Sequence, residues 1–165
     1  MKAPLAPRPF SATALGLAVI LGSVSLAATA ATFDFPTGLA CNFELRIDSV
    51  GGPLVQKTFT DKSGNFVRQL AAGTGGKLTF TNVKTGATLT LPSNGSVQQV
   101  TQVGNDYLDV ATGHNLLILY PTDVPAGPTT TLYVGRVVFT IDSVGIFTLL
   151  GSSGKSTDIC ASLSS

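Results

Sequence analysis

From Asn42 onward, apolar and polar side chains alternate one for one. Phe43, Leu45 and Ile47 fall between Glu44, Arg46 and Asp48. A period of two puts successive side chains on opposite faces of an extended chain, so this stretch reads as a half-buried strand. The rhythm recurs over 54–60, 66–70, 77–83, 87–91, 96–102, 107–111, 116–120, 132–141 and 146–150. Between the segments stand turn-formers: Gly51-Gly52-Pro53, Asp61-Lys62-Ser63-Gly64-Asn65, Gly73 to Gly76, Lys84-Thr85-Gly86, Asn94-Gly95, Gly104-Asn105, Thr112-Gly113 and Asp142 to Gly145. No segment carries a helical stripe; the best candidate, 66–72, spans two turns of residues that also suit a strand. About ten short strands, spaced about ten residues apart, predict an all-β fold, a sandwich or a barrel.

Nearly every connection has hairpin length, and Asn94-Gly95 is a strong hairpin signal, so the strands are expected to follow an antiparallel meander. The exception is the stretch from Pro121 to Thr130, stiffened by Pro121, Pro125 and Pro128, which suits a crossover between sheets. Leu116-Leu117-Ile118-Leu119 is apolar on both faces, as are much of 133–139 and 146–150. A strand apolar on both faces has to be covered on both, by a second sheet, by loops or by another subunit. That favours an antiparallel sandwich, with a closed up-and-down barrel as the alternative. The segment Ile47-Asp48-Ser49-Val50-Gly51 recurs as Ile141-Asp142-Ser143-Val144-Gly145, but the flanks differ, so it reads as shared turn chemistry.

The chain start points to export. Lys2 and Arg8 precede an apolar run from Ala12 to Leu26, and Ala28-Thr29-Ala30 supplies a small-residue cleavage site. The expected organisation is a signal peptide over 1–30, an irregular lead-in over 31–41 broken by Pro36 and Gly38, and one β domain over 42–165, with no membrane span after cleavage. Outside the cytoplasm, the two cysteines, Cys41 and Cys160, are expected to pair as one disulfide joining the start of the first strand to the chain's end. Only two of the ten basic residues lie in the leader, which leaves eight against nine acidic residues, with no basic run. That near-neutral balance argues against nucleic acid and anionic membrane surfaces as partners.

Residues able to carry chemistry are sparse. His114 is the single histidine, so a secreted hydrolase would have to use it with Asp106, Asp109 or Asp123, and no G-x-S-x-G nucleophile accompanies it. Glu44, Arg46 and Asp48 form a charge row on one strand face, which suits a solvated surface better than facing glycosidase carboxyls. Asp61-x-Ser63-x-Asn65 opens like a calcium loop, yet Ala72 stands where the closing glutamate belongs. No cofactor or metal is expected. The loop carrying Tyr120, Pro121, Asp123, Pro125 and Pro128 is the candidate ligand or interaction segment, because stiff loops on rigid sheets favour binding.

From Phe33 to Leu163 the chain resembles a group of small exported all-β proteins of actinobacteria and fungi. The stretches that carry the likeness are Phe35 to Cys41, Ala111 to Asn115, Pro121 to Pro128 and Thr157 to Cys160. The resemblance implies export and the cysteine pair, and supplies no activity, substrate or site. Two functions are expected on these grounds. The first is a non-enzymatic exported or surface-associated binding module, for a small apolar ligand or a protein partner, or self-associating through the late strands. The alternative is the His114 hydrolase.

Overall fold

The computed structural model describes residues 24–26 and 30–164. They form strands β1 (Val24–Leu26), β2 (Ala30–Phe35), β3 (Leu45–Gly51), β4 (Leu54–Thr60), β5 (Phe66–Gly73), β6 (Gly76–Asn82), β7 (Thr88–Ser93), β8 (Ser96–Val103), β9 (Asp106–Leu119), β10 (Thr129–Ile141) and β11 (Phe147–Asp158), followed by the short helix α1 (Ile159–Ser162). The strands make two antiparallel sheets, ordered β1-β4-β5-β8-β9-β10-β11 and β2-β3-β6-β7. Neither closes on itself, so the fold is the expected β-sandwich and not the barrel. Among the described residues, no helix is long and apolar enough to cross a membrane.

Three glycine connections expected to be hairpins are corners instead. β3 runs into β4 at Gly51-Gly52, β5 into β6 at Gly73 to Gly76, and β7 into β8 at Asn94-Gly95, and each time the chain passes from one sheet to the other. Consecutive segments are therefore not always neighbours: β3 pairs with β6 and β5 with β8. A short glycine-rich link serves a reversal or a bend equally well, and only the sheet partners distinguish the two. Thr112-Gly113, expected as a turn, lies inside the continuous strand β9.

In β9, β10 and β11 the same bend occurs within each strand. Gly113 is paired with Gly135, and Gly135 with Gly154, forming a row across the sheet. Their φ angles are 94°, 148° and 98°, and a Cβ on Gly135 would overlap the Ser153 carbonyl of the neighbouring strand. Glycine in such a row lets a sheet crease sharply. The two arms fold toward each other. Leu117, Leu119 and Tyr133 on one arm share a core with Ala111, Val137 and Phe139 on the other, joined by Phe147 and Leu149. On the opposite face of the first arm, Leu132, with Leu116 and Ile118, packs on Leu45, Ile47 and Phe80 of the small sheet. The double-sided apolarity of Leu116–Leu119 is thus covered by the second sheet on one side and by the strand's own folded sheet on the other.

The small sheet keeps strict alternation. Cross-strand rows Phe33-Ile47-Phe80-Leu89 and Ser49-Leu78-Leu91 face inward. The rows between them are polar: Thr32 donates to Asp48 (2.6 Å), Arg46 pairs with Asp34 (2.7 Å), and Thr79 and Thr90 hydroxyls meet at 3.1 Å. Arg46 therefore bridges to the neighbouring strand and does not close a row with Glu44 and Asp48 along its own. These exposed contacts fix register more than they add stability.

At one end, Cys41 and Cys160 stand at disulfide distance, with S–S 1.96 Å and Cα atoms 5.5 Å apart. The Asp158 carboxylate caps α1 by accepting from the Ala161 amide at 2.9 Å, which seats Ile159 and Leu163 in the core. Buried Thr130 donates to the Ala40 carbonyl (2.9 Å) and buried Asn82 to that of Leu163 (3.1 Å).

The lead-in expected to be irregular over 31–41 is a strand as far as Phe35. Phe33 and Phe35 alternate with Thr32 and Asp34 there, and Pro36 ends the pattern where a strand donor would be needed. Most of the expected leader, 1–30, lies outside the described residues. Its segment Val24–Leu26 pairs with Leu54–Gln56, so cleavage after Ala30 would leave β4 as the edge of the large sheet.

Candidate functional site

Between the inward face of the small sheet and β9 lies a groove of about 360 Å³. Phe33, Phe35, Ile47 and Leu78 form the small-sheet side, and Leu116 and Ile118 the opposing wall. The polar groups in the lining are the hydroxyls of Ser49 and Ser93. Phe33 remains 52% exposed although its row partner Ile47 is buried, so the rim presents an aromatic ring to solvent. A concave, mainly apolar cleft of this size with a few placed polar groups has the character of a small-molecule site.

The residues singled out from the sequence lie elsewhere. The loop of Tyr120, Pro121, Asp123, Pro125 and Pro128 is not a crossover, because it joins β9 to its own sheet neighbour β10. It folds down onto β11: the Val124 amide donates to Phe147 O (2.8 Å), and the Leu149 amide donates to Val124 O (2.7 Å). Asp123 is buried and holds the loop in shape. One carboxylate oxygen accepts from the Tyr120 amide (2.6 Å) and the other from the Phe147 amide (2.9 Å). Pro121 and Pro125 are exposed. Charge-assisted bonds of this kind are worth about 2 kcal/mol in total once solvation is counted. Asp123→Ala is expected to cost about that much in urea denaturation, and to raise amide exchange at Phe147 and Leu149.

His114 lies within β9, where its amide donates to Gly95 O (3.0 Å). It lines a second cleft, of about 190 Å³, with Ser96, Gln98, Asn115 and Phe139. That lining holds a hydroxyl but no carboxylate. Asp109 is outside that lining, although its hydrogen-bond partner Gln98 and its cross-strand neighbour Phe139 belong to it. Asp123 is engaged by two backbone amides, and Asp106 is exposed. Among the described residues, no hydrogen bond or ion pair joins the His114 side chain to a carboxylate.

Asp109 itself was open to the sequence only as a possible histidine partner. It is 1% exposed, and burial pushes its pKa up to about 6 against a hydrogen bond from the Gln98 amide that pulls it down. Among the described residues its Oδ1 has no protein partner, and neither does Asn115 Nδ2. At the other hairpin, the Asp61 carboxylate accepts from the Ser63 and Asn65 amides and from Asn65 Nδ2 (2.8–3.0 Å), so the loop that resembled a calcium site spends its acidic group on its own turn. Those bonds, led by the one from the Asn65 side chain, hold the Asp61 pKa below the usual carboxylate value.

No protein-family model, curated protein or solved structure matches this chain.

Proposed function

We propose that the protein is an exported, non-enzymatic binding module that holds a small apolar ligand in the groove between β2-β3-β6 and β9. The single observation supporting this is the groove's lining: six apolar side chains with two serine hydroxyls, open to solvent past a half-exposed phenylalanine. A soluble monomer gains by burying such surface, at about 25 cal/mol per Å², so an apolar guest is favoured there. The paired cysteines and the covered late strands keep both walls fixed, which reduces the ordering cost of binding. Export follows from the leader, and oxidation of Cys41 and Cys160 fits that compartment.

Decanol titrated into the purified mature protein is expected to bind with 1:1 stoichiometry by calorimetry. Phe33→Asp places a charge on the rim at a position already half in water, and is expected to weaken binding at least about tenfold without lowering the thermal midpoint. Equal binding by the variant, or no binding by the parent, would remove the groove from consideration.

A further inference from the structure

The cleft of about 190 Å³ lies on the concave side of the crease, where Ala111, Val137 and Phe139 of one arm share a core with Leu117 of the other. It is a different space from the groove, and Leu116 is the lining residue they share. Three neutral polar side chains join its apolar walls: Ser96, Gln98 and Asn115. Gln98 gives its Nε2 to the Asp109 carboxylate, so its carbonyl Oε1 is turned away from that group. Asn115 has its Nδ2 closed off from solvent, which leaves Oδ1 as the polar end that serves the cleft. With the Ser96 hydroxyl, the lining therefore presents acceptors, and it includes no Lys or Arg.

Behind Gln98 stands the group that selects the occupant. Asp109 is buried and makes no ion pair among the described residues. A carboxylate held out of water without a counter-ion is costly. The cleft is one side chain away, because Gln98, bonded to Asp109, and Phe139, paired with it across the strands, both line it. We infer that the cleft binds a small organic ammonium ion carrying one apolar group. The ammonium donates to Gln98 Oε1, Asn115 Oδ1 and the Ser96 hydroxyl, and the apolar group lies on Leu117, Val137 and Phe139. Asp109 is a positioning residue: it does not touch the ligand, and it holds the Gln98 amide with its carbonyl end toward the cation. An ammonium has donors only, which matches a lining of acceptors, and charge-assisted bonds are the stronger kind. An anion would meet those acceptors with the carboxylate behind them, and a neutral alcohol would leave Asp109 without a counter-charge. An apolar space of about 150 Å³ takes up benzene, so a single ring with a methylene arm suits this cleft. Such a role also gives the fold a reason to keep a carboxylate that costs it stability.

The experiment compares benzylamine, benzyl alcohol and benzoate by calorimetry on the mature protein at about pH 8, where Asp109 is ionised. Benzylamine is expected to bind at least about tenfold tighter than benzyl alcohol, with benzoate the weakest. Asp109→Asn keeps an acceptor for Gln98 and removes the charge, and it should bring benzylamine to within about threefold of benzyl alcohol. The ratio of amine to alcohol reads charge alone, so a merely structural role for Asp109 would not move it. Amide chemical shifts on adding benzylamine should centre on Ser96, Gln98, Asn115 and Phe139. Equal affinity for amine and alcohol, or an undiminished amine preference in Asp109→Asn, overturns the inference. Shifts centred on Phe33 and Leu78 would place the amine in the groove and overturn it too, as would the absence of saturable benzylamine binding.

Discussion

Replacing Cys41 and Cys160 together by alanine is expected to lower stability by about 4–5 kcal/mol, and the thermal midpoint by more than about 10 °C. The cross-link spans a sequence separation of 119 residues. In the chain-entropy account, closing a loop that long removes much of the freedom of the unfolded state, and the figure is the upper end of what that account allows. The folded state adds a second contribution. Cys41 is fully buried in the cluster of Ala40, Ile159 and Leu163, so truncation also leaves a void between the small sheet and α1. Urea denaturation of the oxidised parent, the reduced parent and the double variant separates the two contributions. The reduced parent should lose most of the 4–5 kcal/mol, and the double variant slightly more. A loss under about 1 kcal/mol in both would mean that packing around Ile159 and Leu163 alone holds the chain ends together.

Side-chain period was the most legible feature of the chain, and it carried the fold class. Phe43 to Asp48 and Lys77 to Val83 show their faces directly, because one is dry and the other wet. Direction was less legible. Gly51-Gly52, Gly75-Gly76 and Asn94-Gly95 announce a change of course, but a reversal and a corner need the same permissive backbone. What distinguishes them is whether the following strand finds its partner beside or beyond its predecessor, which is non-local. Gly113, Gly135 and Gly154 hid the crease for the same reason, since three glycines far apart in sequence become a row only through register. The candidate groove was legible in part. The surplus of apolar residues in Leu116–Leu119 showed that several surfaces had to meet there, while Phe33 sat in a stretch discounted for its neighbouring proline. The loop from Tyr120 to Pro128 was expected to cross between sheets, but proline stiffness equally suits a segment that returns to its own sheet, here fastened by one buried carboxylate, Asp123.

Asp109 makes the second large prediction, and its sign runs against the usual behaviour of carboxylates. It projects from β9 between Val100 of β8 and Phe139 of β10, neither of which can stabilise a charge. Burial raises its pKa to about 6, with the Gln98 hydrogen bond opposing in part. In the unfolded chain an aspartate titrates near 3.9. Between those values the folded protein holds a proton that the unfolded chain has released, so stability falls as pH rises from about 4 through about 6 and then levels off. The shift corresponds to about 2–3 kcal/mol at neutral pH. Asp109→Asn keeps an acceptor for Gln98 and removes the charge. It is expected to be more stable than the parent by up to about that amount at pH 8 and to lose the advantage near pH 4. Asp61 contributes in the opposite sense, because its turn lowers its pKa and acidification takes that support away. The parent profile is therefore a sum, and the difference curve between parent and Asn variant from pH 4 to 8 isolates Asp109. A variant less stable than the parent at pH 8 would show that the ionised carboxylate is well served where it stands, and that burial does not dominate its titration. A rising difference curve would mean that this fold keeps, on β9, a carboxylate that it holds more comfortably protonated than ionised.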